Sequence, residues 1–439
     1  RPPRSTLFPY TTLFRSVGFD YSRILKNLQA NGNDVVLVEV GESLDLVYSS
    51  SFKIRNHKED CLLVLRQIRE KYPLIDNCLV FLNNGGKDPS IDQLYSLSQR
   101  VLFVTQCLLE LSILDPKGAV YFIDQDISSE NTIVSESKLS SLTSAFCQVL
   151  NREHPNFRSV CFHYNVNEKI RERLVDDVSL VHSEFSLIFS DDTIYTPRLR
   201  KKNTSKLRQK PFDTDGIHII TGGLGGLGLK TAELLVQEGV KKIALLSRSQ
   251  PNSSAKSLID NWVKSGVQIE ILKIDVSDYA ELKRNVQKLN DNYSVKGIFH
   301  CAGILEDAMI EKQTWDSFHS VFQSKIKGTL HLDLIADELQ LNLNYFICYS
   351  SISSVFGMAS QANYGMGNRF IDALMRGRLN RNKVGLSINW GPWNEFGMAS
   401  KLTENEKNFW KQKGIGYLEV ASCQKMILKA LHHEYDHLG

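Results

Sequence analysis

Ser351 and Tyr364 stand thirteen residues apart, and Asn368 follows the tyrosine by four. A phenol can deliver a proton and a serine hydroxyl can hold a carbonyl oxygen. About 130 residues upstream, Thr221, Gly222, Gly223, Leu224, Gly225, Gly226, Leu227 and Gly228 spell TGGLGGLG, the glycine-rich turn that seats a dinucleotide pyrophosphate. Proton donor, hydroxyl and nicotinamide seat together imply reduction of a carbonyl by hydride transfer. The carbonyl oxygen would gather negative charge, and stabilising it is the main catalytic task. A free tyrosine ionises near pH ~10. A neighbouring ammonium would lower that value by favouring the phenolate.

The glycine turn has the context it needs. Ile217-His218-Ile219-Ile220 precedes it as a strand, and Leu227–Gly239 continues as a helix. Gly222, Gly225 and Gly228 let backbone approach phosphate, and a helix N-terminus offers free N–H groups. The next strand ends at Ser247-Arg248. A carboxylate there would bind the ribose 2′-hydroxyl of NAD, whereas Arg248 supplies a cation for the 2′-phosphate of NADPH. Asp275-Val276 closes the third strand and suits adenine. His300-Cys301-Ala302-Gly303 closes the fourth with small residues past which a cofactor can lie.

Two strand–helix alternations must position these groups, giving an α/β chain with two Rossmann-like, doubly wound parallel sheets. In the first (17–199), strands are predicted at Val35–Val40, Cys78–Leu82, Ala119–Ile123 and Ser159–His163. Helices are predicted at Tyr21–Ala30, Asp60–Lys71, Ile91–Leu114 and Leu139–Arg152. None of these strands ends in a phosphate turn; Asn83-Asn84-Gly85-Gly86 lacks the spacing. This half reads as a degenerate, structural subdomain. A basic linker follows (200–215), then the catalytic subdomain (216–435). Its strands are predicted at Ile217–Thr221, Lys242–Ser247, Gln268–Ile274, Gly297–Cys301, Tyr345–Ser350 and Val384–Asn389, with a long helix over Gln313–Leu339.

With 439 residues, 42% hydrophobic and 23% charged, the chain has ordinary globular composition. A net charge of +3 argues against nucleic-acid or membrane partners. No apolar run reaches the ~18 residues of a membrane helix. Eight scattered cysteines without a CxxC pair suit reduced thiols in the cytoplasm, not a zinc site. Residues 1–16 hold TLFPYTTLFRS, which resembles a translated sequencing adapter. The stretch is set aside as an artefact, so the first subdomain is expected to be truncated and the chain to be a piece of something longer.

Most short-chain dehydrogenases carry a lysine four residues after the tyrosine; here that residue is Asn368. The run Phe322–Leu330 instead offers Lys325 and Lys327. This exchange resembles the ketoreductase domains of modular polyketide synthases and animal-type fatty acid synthases. The resemblance extends over Ala145–Pro155, Glu184–Leu199 and Asn389-Trp390-Gly391-Pro392-Trp393. It implies Lys325 as the family's lysine, contacting ribose, with Ser351 and Tyr364 in catalysis and Asn368 holding a relay water. It implies Pro392 and Trp393 at the nicotinamide carboxamide and a lid over 395–414. It implies NADPH as cofactor and, as substrate, a β-ketoacyl chain on an acyl carrier protein. That acidic carrier could dock on the basic linker, and neighbouring polyketide synthase domains would complete the parent chain. Leu305-Glu306-Asp307 and Phe356 lean towards the D-hydroxy product. A free-standing reductase of a small ketone or coenzyme A thioester, and a non-catalytic architectural domain, are the alternatives.

Overall fold

The computed structural model describes residues 10–16, 26, 28–30, 34–45, 51–82, 89–126, 137–165, 184–190, 193–201, 212–394, 411–412, 414–432 and 437–438. The chain packs as two units. One comprises Arg1–Arg198, Asp307–Ser317 and Phe356–Met366; the other Leu199–Glu306, Phe318–Val355 and Gly367–Gly439.

The first unit is built on β1 (Tyr10–Ser16), β2 (Asp34–Gly41), β3 (Ser51–Arg55), β4 (Ile75–Phe81), β5 (Leu114–Asp126), β6 (Arg158–Asn165), β7 (Ser186–Ser190) and β8 (Thr193–Tyr195). They lie in the order β3-β2-β1-β4-β5-β6-β7-β8, parallel except for β8 against β7. Continuous apolar runs such as CLVF and AVYFI are what a sheet covered on both faces requires. Leu13, Leu79, Phe122 and Phe162 are fully buried within it. Among its helices, Ile91–Leu111 starts at a capping box. Ser90 Oγ accepts from Gln93 N–H, and Gln93 Oε1 accepts from Ser90 N–H.

Tyr10–Ser16, set aside above, pairs with β2 on one side and β4 on the other. Thr11, Thr12, Leu13 and Phe14 are all buried. The heptad takes an interior position of the sheet, and its TTLF stretch has the β-branched and aromatic make-up such a position favours. Only 26 and 28–30 of the predicted helix Tyr21–Ala30 are described, and they are helical. Asn83–Gly86 and most of the basic linker lie outside the described residues.

The second unit is built on β9 (Ile217–Thr221), β10 (Lys242–Ser247), β11 (Gln268–Lys273), β12 (Val295–His300), β13 (Tyr345–Ser351), β14 (Leu386–Trp390) and β15 (His437–Leu438). The order is β11-β10-β9-β12-β13-β14-β15, all parallel. Strand order reverses between β9 and β12, the place where ligands of such sheets sit. The predicted long helix is three pieces. Trp315–Phe322 and Thr329–Glu338 are α-helical, and Gln323–Gly328 between them is a π-turn. Its extra residue per turn is invisible to a 3.6-residue apolar pattern.

Candidate active site

The turn after β9 is shaped by absent side chains. Gly222 has φ +63, and a Cβ there would lie 2.9 Å from both Ala302 N and Cα. A Cβ on Gly228 would lie 2.3 Å from Gly222 O and 2.7 Å from Gly223 Cα. Gly223 N–H donates to Leu246 O at 3.1 Å, tying the turn to the end of β10. The helix Gly226–Gln237 begins at Gly225 with no side-chain cap and no acid in its first turn. Its opening N–H groups are therefore left for an anion, and the residues present fit a dinucleotide pyrophosphate. Arg248 follows β10, exposed, with no ion-pair partner among the described residues. Asp275 is bound to its own loop, accepting from Ser277 N–H and Oγ, both at 2.8 Å. Val276 packs on Gly328 of the π-turn.

His300, the last residue of β12, links this turn to Lys325. Its Nε2 lies 3.1 Å from Ser324 O and its Nδ1 2.7 Å from Thr221 Oγ1. A carbonyl can only accept, so Nε2 carries the proton and Nδ1 receives the threonine's. Burial, then the charge of Lys325, holds His300 down at about 3, keeping it neutral.

Lys325 sits in the π-turn, 3% exposed, its Nζ donating to Tyr349 O at 2.8 Å. Two glycines make room for its stem. A Cβ on Gly303 would come 2.7 Å from Lys325 Cε, and one on Gly367 2.9 Å from Lys325 Cβ. Burial pulls its ammonium down to about 8; the thiols of Cys348 and Cys301 and the carboxylate of Asp372 oppose that. Lys327, two residues on, is half-buried instead. It lines an open cleft of about 550 Å³ with Asp275, Ser277, Asp278, Tyr279 and His331.

Ser351 ends β13 partly exposed, its Oγ accepting from Ser353 N–H at 3.2 Å. A buried polar cluster fixes the loop behind it. Asn389 Nδ2 lies 2.8 Å from Ser354 Oγ, 2.8 Å from Asp372 Oδ2 and 3.0 Å from Ser350 Oγ. Ser354 Oγ donates to Asp372 at 2.7 Å, and Ser350 Oγ to Asn368 O at 3.3 Å. Asp372 is one turn beyond Asn368 on the helix Ala362–Asn380. Tyr364, 7% exposed, occupies the first turn of that helix, within the segment that packs with the first unit. The second unit thus brings together Ser351, Lys325, Asn368 and the glycine turn.

Cys301 Sγ lies 3.9 Å from Thr231 Oγ1, and burial raises its thiol to about 12. Trp393 is a core residue, 2% exposed, with its ring 5.2 Å from that of Trp390. Pro392 O accepts from Leu418 N–H. Most of the predicted lid, 395–410 and 413, lies outside the described residues.

Sequence reasoning missed His300, Gly367, Asp372 and Asn389 as parts of this arrangement. Gly367 carried a signal, a glycine inside a strong helix pattern.

Residues 216–395 match the family model described as KR domain. This region is similar to KR domains. Such domains are oxidoreductases of the short-chain dehydrogenase type that use nicotinamide cofactors. The chain is 33% identical over 240 residues to a 6-methylsalicylic acid synthase of Arthrobotrys oligospora, covering 51% of this chain and 14% of that protein. It is 33% identical over 192 residues to a reducing polyketide synthase of Gibberella fujikuroi, covering 43% and 8%. The chain therefore spans a small part of the long proteins it matches. An N-terminal ketoreductase from a macrolactin assembly line shares the fold, with TM-score 0.82 and 20% identity over 99% of this chain and 87% of that one. Both parallel-sheet units are thus those of the ketoreductase fold. Among the described residues, no helix is long and apolar enough to cross a membrane.

Proposed function

We propose that this chain reduces a β-ketoacyl thioester, carried on an acyl carrier protein, to the β-hydroxyacyl thioester within a polyketide synthase. NADPH, when bound, supplies the hydride. Ser351 donates its hydroxyl proton in a hydrogen bond to the carbonyl oxygen. Tyr364 delivers the proton that turns that oxygen into a hydroxyl. Lys325 holds positive charge near the phenol and reaches the ribose, and Asn368 holds a water that resupplies the proton. Gly222, Gly225 and Gly228 admit the pyrophosphate, and Arg248 meets the 2′-phosphate beside the turn to which β10 is bonded. Pro392 and Trp393 border the carboxamide end.

The observation that carries this reading is the burial of Lys325. A lysine taken out of water is costly unless its charge is used. Here Gly303 and Gly367 give up their side chains to seat it between the strand-end loop and the tyrosine-bearing helix. All eight cysteines are free thiols, which suits a reducing cytoplasm.

The test is oxidation of NADPH, with NADH beside it, on a simple β-keto thioester and on the same chain loaded on a carrier protein. Tyr364→Phe should lower turnover about 10²–10⁴-fold. Equal rates in the two proteins would remove the phenol from the chemistry. A preference for NADH would remove Arg248 from cofactor choice.

A further inference from the structure

The first unit contains two short segments from the second half of the sequence, Asp307–Ser317 and Phe356–Met366. The second of them carries Tyr364. Glu153 touches both: its Oε2 accepts from Ile310 N–H and its Oε1 from Ser360 N–H, each at 2.7 Å. Gln106 holds the first segment from another helix, its Nε2 donating to Ile310 O at 2.7 Å and Gln313 O at 2.8 Å. The segments then bind each other. Ala308 N–H donates to Ser360 O at 2.9 Å, Gln361 Nε2 to Asp307 Oδ2 at 2.9 Å, and Asn363 Nδ2 to Gln313 Oε1 at 3.0 Å. Asn363 Oδ1 in turn accepts from the N–H of Tyr364 at 2.6 Å.

Glu153 is badly placed for its own helix. It is the last residue of Lys138–Glu153, where the helix dipole is negative and a carboxylate is unfavourable. Burial raises its pKa further, and the N–H groups of Ile310 and Ser360 only partly offset that. The largest gains the anion has come from those two segments, ahead of the neighbouring His154. Ser360 also needs a restraint, since its φ is +69, a conformation L residues rarely adopt. Gly357, with φ +63, is pressed against Gln148 on the same helix; a Cβ there would lie 2.8 Å from Gln148 Cγ.

We propose that Glu153 and Gln106 are positioning residues for the Tyr364 hydroxyl, fixing the strained turn from which its helix starts. This rests on the proton-donor role proposed above. The degenerate half is then part of the catalytic apparatus: it sets the phenol without touching substrate or cofactor. Ser360 is two residues from the helix start and four from the tyrosine, so freedom at its N–H passes directly into the first helical turn.

Glu153→Gln in the full chain tests this. It keeps shape but turns an amino group towards one backbone N–H. Loss of a charged acceptor shifts the balance between held and released turn about ten- to a hundredfold. The expected result is a fall in kcat of about tenfold or more, with NADPH binding by fluorescence titration unchanged within about twofold. In a Tyr364→Phe background the same change should cost nothing further, because the group it positions is gone. An unchanged kcat in folded Glu153→Gln overturns the proposal, and so does a loss that multiplies with Tyr364→Phe. If Glu153→Gln does not fold, Gln106→Met is read by the same cycle, and an unchanged kcat there overturns it equally. If Tyr364→Phe alone matches wild type, the proton-donor reading fails first, a different result from failure of the positioning role.

Discussion

β5 and β6 of the first sheet occupy the places that β13 and β14 hold in the second. Their polar ends are handled in opposite ways. In the first unit Asp124 on β5 takes a hydrogen bond from Ser137 at 2.5 Å and lies 3.2 Å from His163 Nδ1 on β6. Ser137 meanwhile caps the next helix. These three groups bond to one another across the strand ends. In the second unit Ser350, Asn389, Ser354 and Asp372 bond to one another, with Oδ1 of Asn389 and of Asp372 buried and lacking a hydrogen-bond partner among the described residues, and Ser351 is left one residue beyond, partly exposed, its Oγ accepting from Ser353 N–H. In the first unit the bonded groups hold strand ends and the next helix, whereas in the second they fix a loop that carries a partly exposed hydroxyl. The strand order is the same; what differs is the partly exposed serine hydroxyl at the end of β13.

The largest effect that could break this comparison comes from crossing the two positions. Ser351→Ala should lower kcat about 10²–10³-fold, as loss of an oxyanion donor does, with at most about 1 kcal/mol of stability lost with its bond from Ser353 N–H. Asp124→Asn should do the reverse. It puts an amide among groups arranged for a carboxylate, costing about 1–3 kcal/mol of stability, with kcat per folded molecule unchanged. Steady-state rates and thermal melts on both proteins decide it. A loss of kcat in Asp124→Asn would mean the first sheet's strand ends take part in the chemistry.

A smaller effect sharpens the contrast at helix starts. The first unit's helices Ile91–Leu111 and Lys138–Glu153 are capped by Ser90 and Ser137, while Gly226–Gln237 has no side-chain cap. Ser90→Ala should cost about 1 kcal/mol of stability and leave cofactor affinity alone. Gly228→Ala drives a methyl group into Gly222 O and should weaken NADPH binding at least about tenfold, by titration of cofactor fluorescence. Unweakened binding would place the dinucleotide somewhere other than this turn.

The same contrast explains what the sequence made legible. β9 and β10 run where their apolar stretches end, because a buried parallel strand is bounded by the turn residues that follow it. The edge strand β3 and the antiparallel β8 escape the apolar pattern, both being short, the first buried only at alternate residues and the second exposed throughout. β1 lies in the stretch set aside for its adapter-like wording, although TTLF has the β-branched and aromatic make-up of a central strand. The glycine turn and the order serine, tyrosine, asparagine were readable, since spacing along one turn or helix is local. The choice between Lys325 and Lys327 was not local. Both lie in one helical run, and only the π-turn and the room left by Gly303 and Gly367 bury one and leave the other beside an open cleft. The attachment of Asp307–Ser317 and Phe356–Met366 to the first unit had no sequence signal, because Glu153 meets them through backbone N–H groups that every residue carries.

The smallest effect is a pH dependence, and it comes from the one buried ammonium described in the second unit. Lys325 titrates at about 8 in the folded chain against an ordinary 10.5. Between those values the unfolded chain binds a proton that the folded one lacks, so stability rises with pH there; the cost is fully present below about 8. Activity should run the other way. If the ammonium is the charged neighbour of the phenol, kcat/KM falls as pH climbs through about 8 and stands about fourfold below its plateau at pH 8.5. One group thus gives two opposite slopes over adjoining pH ranges, which a general alkaline unfolding cannot imitate because it lowers both together. Asp124→Asn should keep both slopes, since it alters only the bonded groups of the first sheet. Lys325→Met should remove the rise in stability measured by denaturant melts from pH 8 to 10.5. A wild-type profile flat to pH 9.5 would mean that the ammonium's charge is not what the chemistry draws on, and the second sheet's advantage would then rest on Ser351 and the glycine turn alone.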